Sequence, residues 1–317
     1  MTESPNATRR FPVVWSPRYE VDIGAHVFPT AKYRLILDEL LERGVVRNED
    51  ILHPEPASWE EMARVHSPGY LEKVRSGSFT AADQMLLELP FTTELRDASV
   101  LCCGGTTLTA RKALQEGVAV HLGGGFHHAF SDHGEGFCML NDVAVALTAI
   151  LAEGQVERGA VVDLDVHHGN GTAAVFTDDP RVFTFSMHQE RNYPFIKPPS
   201  DLDLGLQDQT PDDRYMEALE GALDLIVERH EPQVVVYLAG ADPYMEDQLG
   251  GLALTKEGLE ARDRMVLERF RRTGAGVAVV LAGGYALRTW DTVEIHRRTV
   301  EVARDAWDRR DGPGSGP

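Results

Sequence analysis

The stretch Val-Val-Asp-Leu-Asp-Val-His-His-Gly-Asn-Gly-Thr, residues 161–172, decides the fold and carries the first chemical signal. It begins as a run of small and β-branched apolar residues, which is typical of a buried strand. Asp163, Asp165 and His167 then stand at every second position, so their side chains share one face of that strand. Two buried carboxylates repel each other and lose hydration unless a positive charge compensates them. The pattern therefore indicates a bound cation.

Similar apolar runs recur along the chain and alternate with amphipathic segments. We predict strands at 11–15, 118–122, 160–166, 182–187, 234–239 and 277–282. We predict helices at 29–43, 96–116, 141–153, 210–232, 255–272 and 287–307, short helical pieces at 59–65 and 69–74, and a surface loop bordering a site at 76–90. This alternation indicates an α/β fold with a single open, mainly parallel sheet and helices on both faces.

No linker or internal repeat interrupts the alternation, so we predict one domain at residues 11–310. A polar tail at 1–10 is expected to be disordered, and the Gly- and Pro-rich tail at 311–317 is expected to be flexible.

The bulk composition narrows the class of protein. With 31 basic and 50 acidic residues among 317, the net charge is −19. This charge disfavours direct binding to nucleic acid or to an anionic membrane, and it either favours cationic substrates or serves solubility alone. We expect no membrane span, because no segment approaches ~18 apolar residues, and no secretory signal. Three cysteines make no disulfide framework, so we expect a reducing, cytoplasmic compartment.

Polar residues follow several of the predicted strands. His127 and His128 come after one strand, Asp242 after another and Tyr285 after a third. In an open α/β sheet, sites are built where the carboxyl ends of the strands meet. We therefore expect these side chains to lie near Asp165.

Asp165, His167 and Asp242 form a candidate three-ligand metal site. Two carboxylates and one imidazole leave positions open for water and a substrate oxygen, which is typical of a catalytic centre. Zinc fits this set, and iron(II), cobalt or manganese is also acceptable. The alternative is a buried network without metal, in which Asp163 and Asp165 cap loops or bind neighbouring histidines.

The histidine pair follows three glycines, which allow close approach of the backbone to a ligand. We interpret His127 and His128 as an acid and a base, each oriented by an acceptor, with Asp163 and Asn170 as the available partners. Tyr285, after two glycines, is predicted to donate a hydrogen bond to a developing oxyanion. The alternative for Tyr285 is a packed aromatic after a turn.

These motifs, in this order, resemble the histone deacetylase superfamily, which has the arginase/deacetylase fold. The motifs are Gly-Gly-Gly-Phe-His-His-Ala at 123–129, Gly-Phe-Cys-Met-Leu-Asn-Asp at 136–142, the stretch at 163–172, Ala-Gly-Ala-Asp at 239–242 and Gly-Gly-Tyr at 283–285. The segments at 26–33 and 247–252 look most like the class IV branch and its bacterial relatives.

The resemblance implies that Asp165, His167 and Asp242 bind Zn²⁺, which activates the attacking water. The catalytic residues that it implies are His127, His128, Asp163, Asn170 and Tyr285. His128 would be the general base, with Asn170 behind it, and His127, backed by Asp163, would act electrostatically. Tyr285 would share the oxyanion with zinc.

The resemblance also implies a structural K⁺ and a tunnel for the acyl chain. The K⁺ would be bound by the side chains of Asp163 and Ser186 and by the carbonyls of Asp165, His167 and Met187. The tunnel residues would be Gly136, Phe137 and Tyr193, with Leu249 near the rim. Read without the resemblance, Phe137 and Tyr193 are candidates for aromatic walls or for ordinary core residues.

Two residues depart from the family pattern. Phe126 replaces the usual Trp before the histidine pair, and Asn170 replaces the Asp of some classes, which is expected to make His128 less basic. The family's rim acid has no single counterpart in the sequence. Its candidates are Asp83, Glu88 and Glu94.

We therefore predict a metal-dependent amidohydrolase that removes acetyl or longer acyl groups from lysine-like amines of proteins. The alternatives are a deacetylase of acetylpolyamines or other acylated small amines and, in a different class, a non-catalytic acyl-lysine binding protein. Retention of the two histidines and Tyr285 argues against the last, because binding alone does not need that set.

Overall fold

One open sheet organises the computed structural model, which describes residues 9–309. Its strands are β1 (Val13–Val14), β2 (Ile51–Leu52), β3 (Val118–His121), β4 (Gly159–Asp163), β5 (Val182–Gln189), β6 (Leu202–Leu206), β7 (Val234–Leu238) and β8 (Gly276–Val280). Their order is β2-β1-β3-β8-β7-β4-β5-β6, and each neighbouring pair is parallel. The expected single parallel sheet is confirmed.

Helices connect the strands and cover the sheet. They are α1 (Lys32–Glu42), α2 (Trp59–Met62), α3 (Pro68–Ser76), α4 (Ala81–Leu87), α5 (Thr93–Glu116), α6 (Asp142–Ala152), α7 (Asn170–Phe176), α8 (Asp212–His230), α9 (Lys256–Thr273) and α10 (Thr289–Asp308). Helix α5 packs against α6, and helix α9 packs against both α8 and α10. Within residues 9–309, no helix is both long and apolar enough to cross a membrane.

Burial explains why the sequences of the central strands are almost entirely apolar. Strands β3, β8, β7 and β4 are buried along their whole length, as expected for a parallel sheet covered on both faces. The edge strand β6 instead alternates between half-buried and exposed residues. Its Asp203 and Gly205 interrupt the apolar pattern, which is why the sequence did not predict it.

The predicted surface loop at 76–90 is wrong over seven residues, because it contains the helix α4. The hydroxyl of Thr80 accepts from the N–H of Asp83 (3.2 Å), and the carboxylate of Asp83 accepts from the N–H of Thr80 (2.8 Å). This capping box starts a helix whose apolar periodicity is weak. Helix α7 and the two-residue strand β2 were also not predicted.

Of the predicted tails, the structure describes only Arg9 and Arg10; the rest of 1–10 and 311–317 lies outside the described residues. The guanidinium of Arg9 donates to the carboxylate of Glu116 (2.9 Å) and to the carbonyl of Trp307 (3.2 Å). These bonds tie the start of the described chain to α5 and α10.

The strand register places several loops at one edge of the sheet. Asp163 at the end of β4 pairs with Leu238 of β7 and with Ser186 of β5, and Leu238 pairs with Val280 of β8. The segments that follow these strands therefore leave the sheet side by side. They carry the polar residues that the sequence singled out.

Candidate active site

Asp165, His167 and Asp242 come together at this edge. One donor atom from each residue lies within 4.8 Å of the other two, and all three side chains are buried. Nδ1 of His167 lies 2.9 Å from Oδ1 of Asp165 and 3.4 Å from Oδ2 of Asp242. Two carboxylates and one imidazole in this arrangement are a donor set that suits a divalent transition metal.

Backbone hydrogen bonds orient the two carboxylates but leave one oxygen free. Asp165 accepts from the N–H groups of His167 (2.9 Å) and Gly283 (2.8 Å), and Oδ1 of Asp242 accepts from the N–H of Val166 (2.9 Å). Oδ2 of Asp242 is buried and makes no hydrogen bond within the described part of the chain. Burial and the charge of Asp165 raise the pKa of Asp242 to about 7. A bound cation would compensate both the charge and the unpaired oxygen, so these residues fit a metal.

Gly283 provides the space between the carboxylates. A Cβ at this position would lie 1.9 Å from Oδ2 of Asp242 and 2.5 Å from Oδ2 of Asp165. No side chain can occupy such positions, so the Gly-Gly-Tyr motif serves the two aspartates as well as Tyr285.

His127 and His128 form a linked pair beside the cluster. Nδ1 of His127 donates to Oδ2 of Asp163 (2.6 Å), Nδ1 of His128 donates to Oδ1 of Asn170 (2.7 Å), and the two Nε2 atoms lie 3.1 Å apart. Burial lowers the pKa of both rings, but the charge of Asp163 raises that of His127 to about 9. Burial and the charge of His127 hold the pKa of His128 well below its usual value. The pair therefore has one cationic and one neutral member near pH 7.

Glu135, which the sequence analysis missed, links the base to the cavity wall. Its Oε1 accepts from Nδ2 of Asn170 (2.7 Å) and from the hydroxyl of Tyr193 (3.0 Å). Because the amide nitrogen of Asn170 is held by Glu135, the amide oxygen faces His128. The feature of the sequence that could have identified Glu135 was its position directly before the predicted tunnel residue Gly136.

A cavity of about 160 Å³ opens above the histidines and the metal cluster. It is lined by Glu88, His128, Gly136, Phe137, His167, Asn192, Tyr193, Leu249 and Tyr285. All four predicted tunnel residues are among them, and Asn192 is an addition. The rings of Phe137 and Tyr285 meet edge to face, with centroids 5.9 Å apart. A short cavity with aromatic walls suits an acyl chain that ends at a polar centre.

Of the three candidate rim acids, only Glu88 lines this cavity. The carboxylate of Asp83 is engaged by the N–H of Thr80 and by Nζ of Lys73 (2.7 Å). Glu94 lies in the first turn of α5 and is not among the lining residues. Of the three candidate acids, Glu88 is therefore the one that the structure places at the cavity.

A buried lysine, not singled out from the sequence, lies close to the predicted oxyanion donor. Nζ of Lys32 donates to the carbonyl of Ala282 (2.8 Å) and lies 5.8 Å from the ring centroid of Tyr285. Burial lowers its pKa to about 8, although the charges of Asp242 and Asp165 oppose this shift. The lysine brings positive charge to a region rich in carboxylates.

A second buried cation supports the segments that carry the metal cluster. Arg262 is fully buried in α9 and donates to the carbonyls of Gly240 (2.7 Å) and Leu164 (3.3 Å), close before Asp242 and Asp165 in sequence. It thereby bridges the ends of β7 and β4. A charged residue on a helix is usually exposed, so the sequence offered no signal for this role.

Ser186 and Met187, predicted to bind K⁺, lie near the end of β5 and next to β4. Asp163 pairs in register with Ser186, so both side chains belong to the same edge. Oδ1 of Asp163 accepts from the N–H of Asp165 (3.2 Å), and the hydroxyl of Ser186 is 3.0 Å from Nδ1 of His188. The strand register thus places Asp163 and Ser186 next to each other on neighbouring strands.

The chain is similar to known deacetylases over nearly its whole length. A family model described as histone deacetylase domain matches residues 26–298. An uncharacterized protein of Picosynechococcus sp. is 43% identical over 300 residues, covering 94% of this chain and 99% of its own. The acetoin utilization protein AcuC of Bacillus subtilis is 30% identical over 296 residues, which cover 86% of this chain and 76% of AcuC. The crystal structure of an HDAC homolog complexed with SAHA superposes with a TM-score of 0.78 at 25% identity, covering 93% of this chain and 84% of that chain.

Proposed function

Because the chain belongs to the histone deacetylase family, we propose that it is a metal-dependent deacylase that removes acetyl or longer acyl groups from lysine-like amines of proteins. One observation carries this proposal. The donor atoms of Asp165, His167 and Asp242 lie within 4.8 Å of one another, and His167 also lines the cavity that holds His128 and Tyr285. A metal cluster, a base and an oxyanion donor thus face one small space.

Asp165, His167 and Asp242 would hold a divalent cation, for which zinc is the best match and iron(II) is an alternative. When bound, such a cation supplies Lewis acidity toward the acyl carbonyl and toward a water molecule. These three residues fit a divalent cation because Oδ2 of Asp242 is buried and has no hydrogen-bond partner within the described residues. The N–H groups of His167 and Gly283 fix the orientation of Asp165.

His128 is the proposed general base and later the acid for the leaving amine. Its Nδ1–H is directed at Asn170, so the lone pair is on Nε2, which lies 3.1 Å from Nε2 of His127 and would accept a proton from water and return it to the amine nitrogen. The low pKa of His128 keeps the ring neutral before the reaction. His127, cationic and bound to Asp163, stabilises negative charge that develops beside it.

Tyr285 is the proposed donor to the oxyanion. Burial and the charge of Asp165 raise its pKa well above the usual value, so the hydroxyl keeps its proton throughout the working pH range. A neutral hydroxyl in a buried cavity is an effective donor to a developing negative charge.

A structural K⁺ is proposed beside this centre. Its ligands would be the side chains of Asp163 and Ser186 and the carbonyls of Asp165, His167 and Met187. The register, which pairs Asp163 at the end of β4 with Ser186 of β5, supports this arrangement. Oxygen donors alone suit a hard alkali cation.

A turnover panel tests the proposed function. The zinc-loaded protein is offered acetyl-, octanoyl- and myristoyl-lysine peptides beside N-acetylputrescine and N-acetylspermidine, and the released carboxylate is measured. We expect acyl-lysine peptides to be hydrolysed. Binding of these peptides without any release of carboxylate would contradict the proposal and indicate an acyl-lysine binding protein.

A second candidate function is the deacetylation of acylated polyamines. The observation in its favour is Glu88, whose carboxylate at the cavity attracts an ammonium group as readily as a peptide N–H. A preference for the acetylated polyamines in the same panel would establish this alternative.

A further inference from the structure

A second group of imidazole and carboxylate side chains lies where β5 meets the edge strand β6. His168, His188 and Asp203, here called the second cluster, each place one donor atom within 4.8 Å of the other two. Nε2 of His168 lies 3.1 Å from Oδ1 of Asp203, and the rings of His168 and His188 meet edge to face with centroids 4.7 Å apart. Other residues line the cavity above His128, so the second cluster has no part in the proposed deacylation.

The strand register brings two members of the second cluster to one face of the sheet. Asp203 of β6 pairs with Ser186 of β5, and Ser186 stands two residues before His188. Residues two apart on a strand point to the same side, and so do paired residues of neighbouring strands. Asp203 and His188 are therefore diagonal neighbours on one face. His168 reaches them from the segment that follows β4.

Further polar contacts orient two of the donors. Nδ1 of His188 lies 3.0 Å from the hydroxyl of Ser186, which leaves Nε2 of the ring for a ligand. Oδ2 of Asp203 accepts from the N–H of Ser200 (2.8 Å), while Oδ1 faces His168. Histidines that bind metals are commonly held through their other ring nitrogen in the same way. The fold thus orients these donors before any ion arrives.

The spacing of the donors matches tetrahedral coordination. Two ligand atoms that each lie about 2.0–2.1 Å from zinc at the tetrahedral angle are about 3.3 Å apart. The 3.1 Å between Nε2 of His168 and Oδ1 of Asp203 is close to this separation. A hydrogen bond accounts for that one distance, but it does not require the second imidazole, that of His188. Two imidazoles and one carboxylate suit Zn²⁺, Co²⁺, Ni²⁺ or Cu²⁺, whereas Mg²⁺ and Ca²⁺ prefer oxygen ligands.

Burial and charge set the access to the second cluster and its strength. His168 is fully buried and His188 is 3% exposed, whereas the side chain of Asp203 is 31% exposed. An ion can therefore enter from solvent at Asp203, and water can fill the remaining coordination positions. The second cluster supplies one carboxylate, against two in the cluster that contains Asp242, so its attraction for a divalent cation is weaker. The first equivalent of zinc consequently goes to the cluster of Asp242.

We infer that the second cluster binds a divalent transition-metal cation, which joins the segment after β4 to strands β5 and β6. Two bonds to the ion replace the hydrogen bond between His168 and Asp203. Because His168 directly follows His167, the ion also ties the segment that carries His167 to the edge of the sheet. This site is separate from the proposed catalytic centre, and its occupancy does not depend on deacylase activity.

Cobalt binding to the zinc-loaded protein tests the inference. Protein that carries one equivalent of zinc is titrated with Co²⁺ in a calorimeter. Zinc binds a given set of nitrogen and oxygen donors more tightly than Co²⁺, so the zinc already bound stays in place. We expect one equivalent of Co²⁺ to bind per chain. The X-ray absorption edge of cobalt reports that ion alone, and its spectrum is expected to show two imidazole ligands.

Three variants assign the bound cobalt to the second cluster. Loss of an outer partner of a metal site costs about 10–100-fold in affinity, so Asp203→Asn and His188→Gln, which each remove a ligand, are expected to weaken Co²⁺ binding by at least about tenfold. Asp208→Asn is the matched control, because it removes the same charge two residues after β6, where Asp208 accepts from Nε2 of Gln189 (2.7 Å). It is expected to bind Co²⁺ like the parent. Retention of the first zinc and parental circular dichroism show that a variant is folded.

Three results would overturn the inference. The first is a zinc-loaded parent that takes up no Co²⁺. The second is parental uptake by both Asp203→Asn and His188→Gln, which would place the ion elsewhere on the acidic surface. The third is a cobalt spectrum of the parent that shows oxygen ligands alone, which decides the matter even where a variant fails to fold. Acetate release enters none of these measurements, so failure of the proposed function leaves them unchanged.

Discussion

Gly283 and Asp242 are so close that a Cβ on residue 283 would lie 1.9 Å from Oδ2 of Asp242. The same atom would lie 2.5 Å from Oδ2 of Asp165, so Gly283→Ala must displace both carboxylates. We expect this substitution to weaken zinc binding by at least tenfold while the far-ultraviolet circular dichroism stays that of the parent. Zinc titration against a competing chelator measures the affinity, and parental affinity in the variant would refute the assigned geometry.

Gly221→Ala is the matched control for that substitution. Gly221 is an exposed residue within α8, and a Cβ there would meet nothing within 4 Å. Replacing an exposed helical glycine by alanine stabilises a protein by about 0.5–1 kcal/mol. We therefore expect unchanged zinc affinity and a slightly higher melting temperature for Gly221→Ala.

Tyr285→Phe tests the oxyanion donor. Loss of one such donor costs about two to three orders of magnitude in kcat, and the tyrosine hydroxyl contributes no atom to the metal cluster. We expect one zinc per chain and a fall in kcat of that size, measured by acetate release and metal analysis on the same sample. Parental kcat in the variant would remove Tyr285 from the proposed mechanism.

The buried His66 predicts a loss of stability in acid. Its Nδ1–H donates to the carbonyl of Phe130 (3.0 Å), and its Nε2 accepts from the N–H of Asn141 (3.1 Å), so a proton on Nε2 breaks the second bond. Burial lowers its pKa to about 4 in the folded protein, against 6.5 for the free group. The unfolded chain therefore binds the proton more readily, and stability falls as the pH drops from 6.5 toward 4. At pH 5 the loss from this group is about 2 kcal/mol.

Urea unfolding at pH 7 and pH 5 measures this effect, with His66→Gln as the comparison. Glutamine can donate to Phe130 and accept from Asn141 but does not titrate. The parent is expected to lose about 2 kcal/mol more than the variant between the two pH values. Identical losses would show that His66 does not govern the acid sensitivity.

The sequence predicted the central sheet and most of the helices because their signals are local. The buried strand β7 is a continuous apolar run, and α8 carries its apolar residues at helical spacing. The predicted metal ligands Asp165, His167 and Asp242 could be grouped from the sequence because each follows a parallel strand. The carboxyl ends of parallel strands meet at one edge of the sheet. Weak or interrupted patterns, as in α4 and β6, gave no such signal.

Contacts between residues far apart in the chain were not predictable in the same way. Glu135 binds Asn170, 35 residues away, and Lys32 binds the carbonyl of Ala282, 250 residues away. Each contact depends on how loops and helices pack on the sheet, which no local periodicity encodes. The choice of Glu88 among three acids likewise required the position of α4 relative to the cavity.

The most direct test of the central claim is acetate release from an acetyl-lysine peptide by protein stripped of metal, before and after addition of one equivalent of zinc. Asp242→Ala, expected to bind no stoichiometric zinc, serves as the comparison. The proposed function predicts no release before zinc, release after it, and no recovery in the variant. Hydrolysis by the metal-free protein, or full recovery of Asp242→Ala on zinc, would contradict it.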